Sequence, residues 1–208
     1  MGTYNQFAGR SVERLAALSD GVFAVAMTLL VLDLKVPAAD AVQGEHDLWQ
    51  ALVVLAPRLL IYFMSFMTLG IFWIGQQTQL NHLARSDRDL SWIHLAFLCA
   101  ITLTPFSTSL MAEFIVFRVA LVAYWLNVLV LGIIMYAAWR CSVRHGLLRP
   151  ELTAALVAAM ERRIVLAQML YGFGALLCVF SPYWSIGFII ACQLNYVIAP
   201  RILGLDRL

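Results

Sequence analysis

Six runs of apolar residues, each close to twenty positions long, follow one another at 15–36, 51–75, 91–112, 115–139, 163–181 and 184–203. A helix rises about 1.5 Å per residue, so about 20 such residues cross the ~30 Å hydrocarbon layer of a bilayer. The runs are continuous rather than alternating, which predicts spanning helices and excludes a closed β-barrel. Aromatic residues stand near several run ends, among them Trp49, Trp73, Trp92, Trp139, Tyr183 and Trp184, as membrane interfaces favour. The pattern predicts an all-α integral membrane protein, with one six-helix transmembrane domain over residues 1–208.

The first run carries the most informative polar positions, in "SDGVFAVAMTLLVLDLK" (19–35). At about 100° per residue, Leu18, Val22, Val25, Leu29 and Leu32 share one stripe, Thr28 borders it, and Asp20 lies about 140° from Val25. An acid inside the membrane is costly and needs a partner. Arg14 precedes Asp20 by six residues, so the two are not an i,i+4 pair. Partners must come from other helices, and Trp73, Gln76, Gln77, Asn81 and His94 lie at the matching depth. Asp20 with Ser19 then reads either as part of a polar network knitting the first three spans or as a titrating group.

The stripe also has two readings. Branched aliphatics at this spacing form any packed helix seam. If copies of the helix from several subunits meet at an axis, Val25, Leu29 and Leu32 become apolar rings constricting a pore, and Thr28 adds a ring of hydroxyls. Gly21, Ala24 and Ala26 permit close helix approach. Asp33, about 40° from Leu29, either draws cations to an outer mouth or pairs with Lys35.

Further polar residues read as structural. Thr102, Thr104, Ser107, Thr108 and Ser109 flank Pro105, where hydroxyls commonly satisfy backbone groups that a proline frees. Gln168, Gln193 and Asn195 are expected to hydrogen-bond between the last two spans.

Composition agrees with a membrane setting: 62% of residues are hydrophobic and 12% charged, against roughly 45–50% and about 25% in soluble domains. With the N-terminus inside, eleven Lys and Arg residues fall on the inner side, and only Lys35, Arg58 and Arg118 on the outer. That bias predicts both termini in the cytoplasm. A net charge of +2 gives no case for a nucleic-acid partner. Arg10, Arg14, the apolar run and "PAADA" imitate a cleavable signal, but Asp20 interrupts the run and its 22 residues are long enough to span. Between 140 and 162, a helix-forming run after Pro150 predicts an extension of the fifth span beyond the headgroups. Cys99, Cys141, Cys178 and Cys192 show no CxxC spacing and no partner histidine, so they read as small buried residues. The four histidines are scattered, and no catalytic constellation, cofactor site or metal site beyond a permeating ion is expected.

The stretch from Arg14 through Leu18-Ser19-Asp20-Gly21 to Thr28 resembles the signature of the transmembrane protein 175 potassium channel family, whose members carry an arginine, three residues and then Phe-Ser-Asp. "YFMSF" (62–66), "FW" (72–73), "WIHLAF" (92–97) and "TPF" (104–106) match in order. The resemblance implies a potassium-permeable leak channel of the bacterial inner membrane, assembled as a homotetramer in the lipid bilayer. First helices would line the axis, with Val25 as the narrowest ring, Thr28 linked to selectivity, and Leu29 and Leu32 as further rings. Arg14, Leu18, Ser19, Asp20 and Trp73 would form the structural network of the motif. Leu18 departs from the family phenylalanine, Gln76 and Gln77 stand where relatives often have histidine, and Val25 is smaller than the usual isoleucine or leucine. A proton-coupled or small-solute transporter using Asp20 is the alternative. Transporters place such a group near the midplane, whereas Asp20 sits within about two turns of the predicted inner end.

Overall fold

The computed structural model of the protein describes residues 11–198, so Arg10, Arg201, Arg207 and the end of the sixth run lie outside the described residues. Among the described residues the chain forms seven α-helices: α1 (Val12–Leu29, tightened into a 3-10 turn over Leu30–Asp33), α2 (Glu45–Asn81), α3 (Arg88–Thr102), α4 (Thr104–Glu113), α5 (Arg118–Arg144), α6 (Ala154–Leu176) and α7 (Pro182–Ile198). Five helical stretches among the described residues, with α3 and α4 counted as one, are long and apolar enough to cross a membrane. The 17 described residues of α7 add roughly 25 Å.

Apolar runs mark hydrocarbon, and helices outlast it. The second run, predicted at 51–75, becomes a helix of 37 residues, roughly 55 Å long. It holds Pro57 near its start and Gln76, Gln77 and Asn81 near its end. The fifth run begins nine residues early, at Ala154, where Thr153 caps the helix by accepting from Leu156 N–H. The third run, expected as one span, is broken at Leu103, because Pro105 has no N–H to give to the preceding turn. The hydroxyls around it do not mend that gap. The Leu103 N–H reaches the Ala100 and Ile101 carbonyls. Ser107 and Thr108 instead lie 3.0 and 2.8 Å from the Thr104 carbonyl, within α4.

α5 packs against α3, α4 and α6, while α2 packs against α1, α4 and α7. The core between them includes Phe23, Ile61, Met64, Leu69, Ile101, Tyr124, Val128 and Leu131. Inside it lies a polar hub. Thr68 Oγ1 donates to the Met64 carbonyl at 2.9 Å and meets Tyr124 OH at 2.8 Å. Gln193 Nε2 donates to Thr68 Oγ1 at 2.6 Å and Tyr171 OH at 3.0 Å. The glutamine expected to join the last two spans thus ties α7 to α2 as well as to α6. Asn127 of α5 donates to Thr104 Oγ1 at 3.0 Å, and Thr108 meets Ser65 of α2 at 2.9 Å.

Two turns close one end of the bundle. Gly146, at φ +62°, reverses the chain after α5. Ala84 N–H donates to the Leu147 carbonyl at 2.9 Å and Arg149 N–H to the His82 carbonyl at 3.0 Å. The α2–α3 and α5–α6 connections are therefore paired. Arg140 and Glu161 form an ion pair between α5 and α6 at 3.1 Å.

Close packing is concentrated at two glycines. Gln168 of α6 lies where a side chain on Gly132 of α5 would be, with its Nε2 2.1 Å from an ideal Cβ position. A Cβ on Gly174 would lie 2.8 Å from Ile189 Cγ1 and 3.1 Å from Phe188 Cδ1, whereas one on Gly187 meets nothing within 4 Å. Gly174→Ala is expected to cost about 1–3 kcal/mol through overpacking. It should lower the thermal unfolding midpoint in detergent, and Gly187→Ala should not.

Candidate functional site on the first helix

The two faces of α1 differ in what covers them. Ser19, Phe23, Ala26 and Leu30, spaced four, three and four residues apart, are buried against the bundle. Phe23 meets Phe97 at a centroid distance of 6.1 Å. On the other side, Leu18 is 45% exposed, Val25 58%, Leu29 44% and Leu32 69%, with Ala17, Gly21, Ala24 and Thr28 exposed beside them. Val22, grouped with the stripe by its angle, is half-buried: it packs on the core and also lines the groove beside the stripe. An apolar groove of about 450 Å³ runs along Leu18, Gly21, Val25 and Leu29, with Thr102 and Pro105 on its far wall.

Thr28 Oγ1 lies 2.9 Å from both the Ala24 and the Val25 carbonyls. Its single proton is held within its own helix, which leaves the oxygen lone pairs directed outward.

Polar contacts fix α1 at one end through two adjacent residues. Ser19 is fully buried. Its Oγ donates to the Leu15 carbonyl at 2.8 Å, lies 2.7 Å from His94 Nε2, and accepts from Gln76 Nε2 at 2.9 Å. Gln76 Nε2 also lies 3.1 Å from His94 Nε2, so the three side chains form one closed cluster. One hydroxyl thus joins α1, α2 and α3. Asp20 is exposed, and its Oδ1 accepts from Trp73 Nε1 at 2.8 Å and Gln77 Nε2 at 2.7 Å. Of the partners expected at this depth, Trp73, Gln76, Gln77 and His94 are engaged. Asn81 is not among them, being exposed at the end of α2. Arg14 is also exposed, and its backbone N–H donates to Ser11 Oγ at 3.2 Å. Leu18 belongs to the exposed stripe.

At the other end, Ser109 Oγ of α4 donates to Asp33. Asp33 thus meets a helix hydroxyl rather than Lys35, and the ion pair on this side joins Arg58 to Glu113 at 2.6 Å.

One contact was missed by spacing rules. Cys141, expected to have no partner histidine, has Sγ 3.8 Å from His145 Nδ1. The two are four residues apart, Cys141 in the last turn of α5 and His145 at its C-cap, which brings them side by side. His145 Nδ1 also lies 2.6 Å from Asp87 Oδ2.

Fold and face together define an α-helical membrane protein that crosses the bilayer several times and whose first helix presents an apolar face that its own subunit leaves open. The family model for the endosomal/lysosomal potassium channel TMEM175 matches residues 14–105. A potassium channel from Streptomyces collinus is 35% identical over 163 residues, covering 76% of this chain and 78% of the relative. A potassium channel from Chamaesiphon minutus is 31% identical over 171 residues, covering 81% and 82%. The crystal structure of a lysosomal potassium-selective channel TMEM175 homolog from Chamaesiphon minutus superposes with a TM-score of 0.77 at 28% identity, covering 91% of this chain and 98% of that one. The chain belongs to the TMEM175 channel family.

Ser19→Ala would strip His94 and Gln76 of a shared buried partner. It is expected to destabilise the protein by about 1–3 kcal/mol. Trp73→Phe removes one of two donors to an exposed carboxylate and should cost less. Thermal unfolding of the two variants in one detergent checks the order.

Proposed function

We propose that the chain forms a potassium-permeable leak channel in the bacterial inner membrane, as a homotetramer whose α1 helices surround the conduction axis. The observation that carries this is the contrast on α1. Hydrogen bonds hold one side to the bundle, while Val25, Leu29 and Leu32 on the other remain uncovered in a chain of a channel family. Four copies of that face around an axis make successive apolar rings, a constriction that resists wetting and so gates ions. Thr28 supports selectivity. Its lone pairs face away from its own helix, so four copies offer oxygens to a partly dehydrated cation, and only oxygens suit a hard ion. Asp33 supplies negative charge at the outer mouth. Ser19, Asp20 and Trp73 set the rotation of α1, and Arg14 with its neighbours sits on the cytoplasmic side, where both termini lie.

Purified protein in liposomes should pass K⁺ down its gradient without a proton gradient. Strict proton coupling would point instead to a transporter using Asp20, and no flux to a packing role for the stripe. Val25→Ala should widen the constriction and raise conductance, and Thr28→Val should lower K⁺ over Na⁺ discrimination. Unchanged currents in both variants, or a stable monomer in mild detergent, would sink the pore reading, since one α1 cannot enclose an axis.

A further inference from the structure

Asp87, Cys141 and His145 converge where the α2–α3 turn meets the end of α5, all three half-buried and their ligand atoms within 4.8 Å of one another. We propose that this triad is a binding site for a soft divalent transition metal, with Zn²⁺ the ion it suits best.

Three features of the site support this. Cys141 in the last turn of α5 and His145 at its C-cap stand four residues apart, a chelating arrangement, with Sγ and Nδ1 3.8 Å apart. Asp87 is already oriented: its Oδ1 accepts from Leu90 N–H at 2.8 Å as the cap of α3, which turns Oδ2 towards His145 Nδ1 at 2.6 Å. Ser91 Oγ donates to the Asp87 carbonyl at 2.7 Å and steadies the same residue. Such outer hydrogen bonds are how metal ligands are held in register. Finally, the charges balance, since a thiolate, a carboxylate and a neutral imidazole neutralise a divalent ion.

The three ligand atoms already lie within 4.8 Å of one another, and two of the three separations are close to what a metal needs. With zinc–ligand bonds of about 2.0–2.3 Å, tetrahedral ligand atoms lie about 3.3–3.8 Å apart. The Sγ–Nδ1 separation is already there, and the Nδ1–Oδ2 pair opens by less than about 1 Å when a metal replaces its hydrogen bond. Binding releases the thiol proton, and the proton that His145 Nδ1 shares with Asp87 Oδ2 at 2.6 Å in the metal-free site passes through solvent to Nε2, so that the neutral imidazole turns an Nδ1 lone pair to the metal. Three protein ligands leave the fourth position to water. The thiolate sets this site apart from the conduction path, because hard ions such as K⁺ and Mg²⁺ avoid sulfur. Once bound, the metal would fasten the α2–α3 turn to α5 more firmly than one hydrogen bond does.

Co²⁺ titration of the purified channel tests this, since tetrahedral Co²⁺ is coloured and reports thiolate ligation directly. The expected result is one ion per subunit, with a thiolate-to-cobalt charge-transfer band that Zn²⁺ abolishes by displacement. The band should persist when Cys99, Cys178 and Cys192 are changed to serine together, and vanish in Cys141→Ser. Asp87→Asn keeps an oxygen for the α3 cap and should weaken binding roughly tenfold or more. No charge-transfer band in the unmodified protein, or a band that survives Cys141→Ser, would overturn the proposal. Should Cys141→Ser not fold, the variant retaining Cys141 alone decides, and loss of the band there is equally fatal.

Discussion

The rotation of α1 about its own axis is the constraint on which the candidate site depends, and a handful of hydrogen bonds sets it. A helix with aliphatic residues on several sides has no strong preference, from burial alone, for which side faces the bundle, because lipid is as apolar as a neighbouring helix. Ser19 removes that freedom by engaging Leu15, Gln76 and His94 at once. Asp20 adds two donors from α2, and Asp33 meets Ser109 at the far end. With both ends fixed, the exposure of Val25, Thr28, Leu29 and Leu32 follows from helical geometry.

The same logic organises the rest of the bundle. Polar side chains carried into hydrocarbon are expensive unless they meet one another, and here they meet across helices. Thr68, Tyr124, Tyr171 and Gln193 bring α2, α5, α6 and α7 to one hub. Ser65, Thr104, Thr108 and Asn127 do the same for α2, α4 and α5. Apolar packing fills the space between the two groups, and the polar contacts decide which helices are neighbours.

What could be seen in the sequence follows from where each signal resides. Apolar runs announce the spans because hydrocarbon demands them, but not the helix ends, which depend on caps such as Thr153 and on turns such as Gly146 outside the apolar layer. Partners for Asp20 could be named because helices crossing one slab place polar residues at comparable depths, so Trp73 and Gln77 were candidates before any contact was known. Pro105 signals the break at Leu103, but the unbroken apolar run around it conceals that the helix stops there. Cys141 and His145 stand at a visible helical spacing. Asp87 joins them from 58 positions away, through a pairing of two connections that no local pattern announces.

Gly132 and Gln168 carry a consequence for how this protein tolerates change. The carboxamide fills the volume a side chain at 132 would need, and its Oε1 is buried without a hydrogen-bond partner. The two positions therefore share one volume and one polar debt. Varied singly, each would look intolerant. Varied together, a larger residue on α5 and a smaller apolar one on α6 would occupy the same space and remove an unpaired oxygen. Their effects are not additive, and in related chains the two sites should change as a pair.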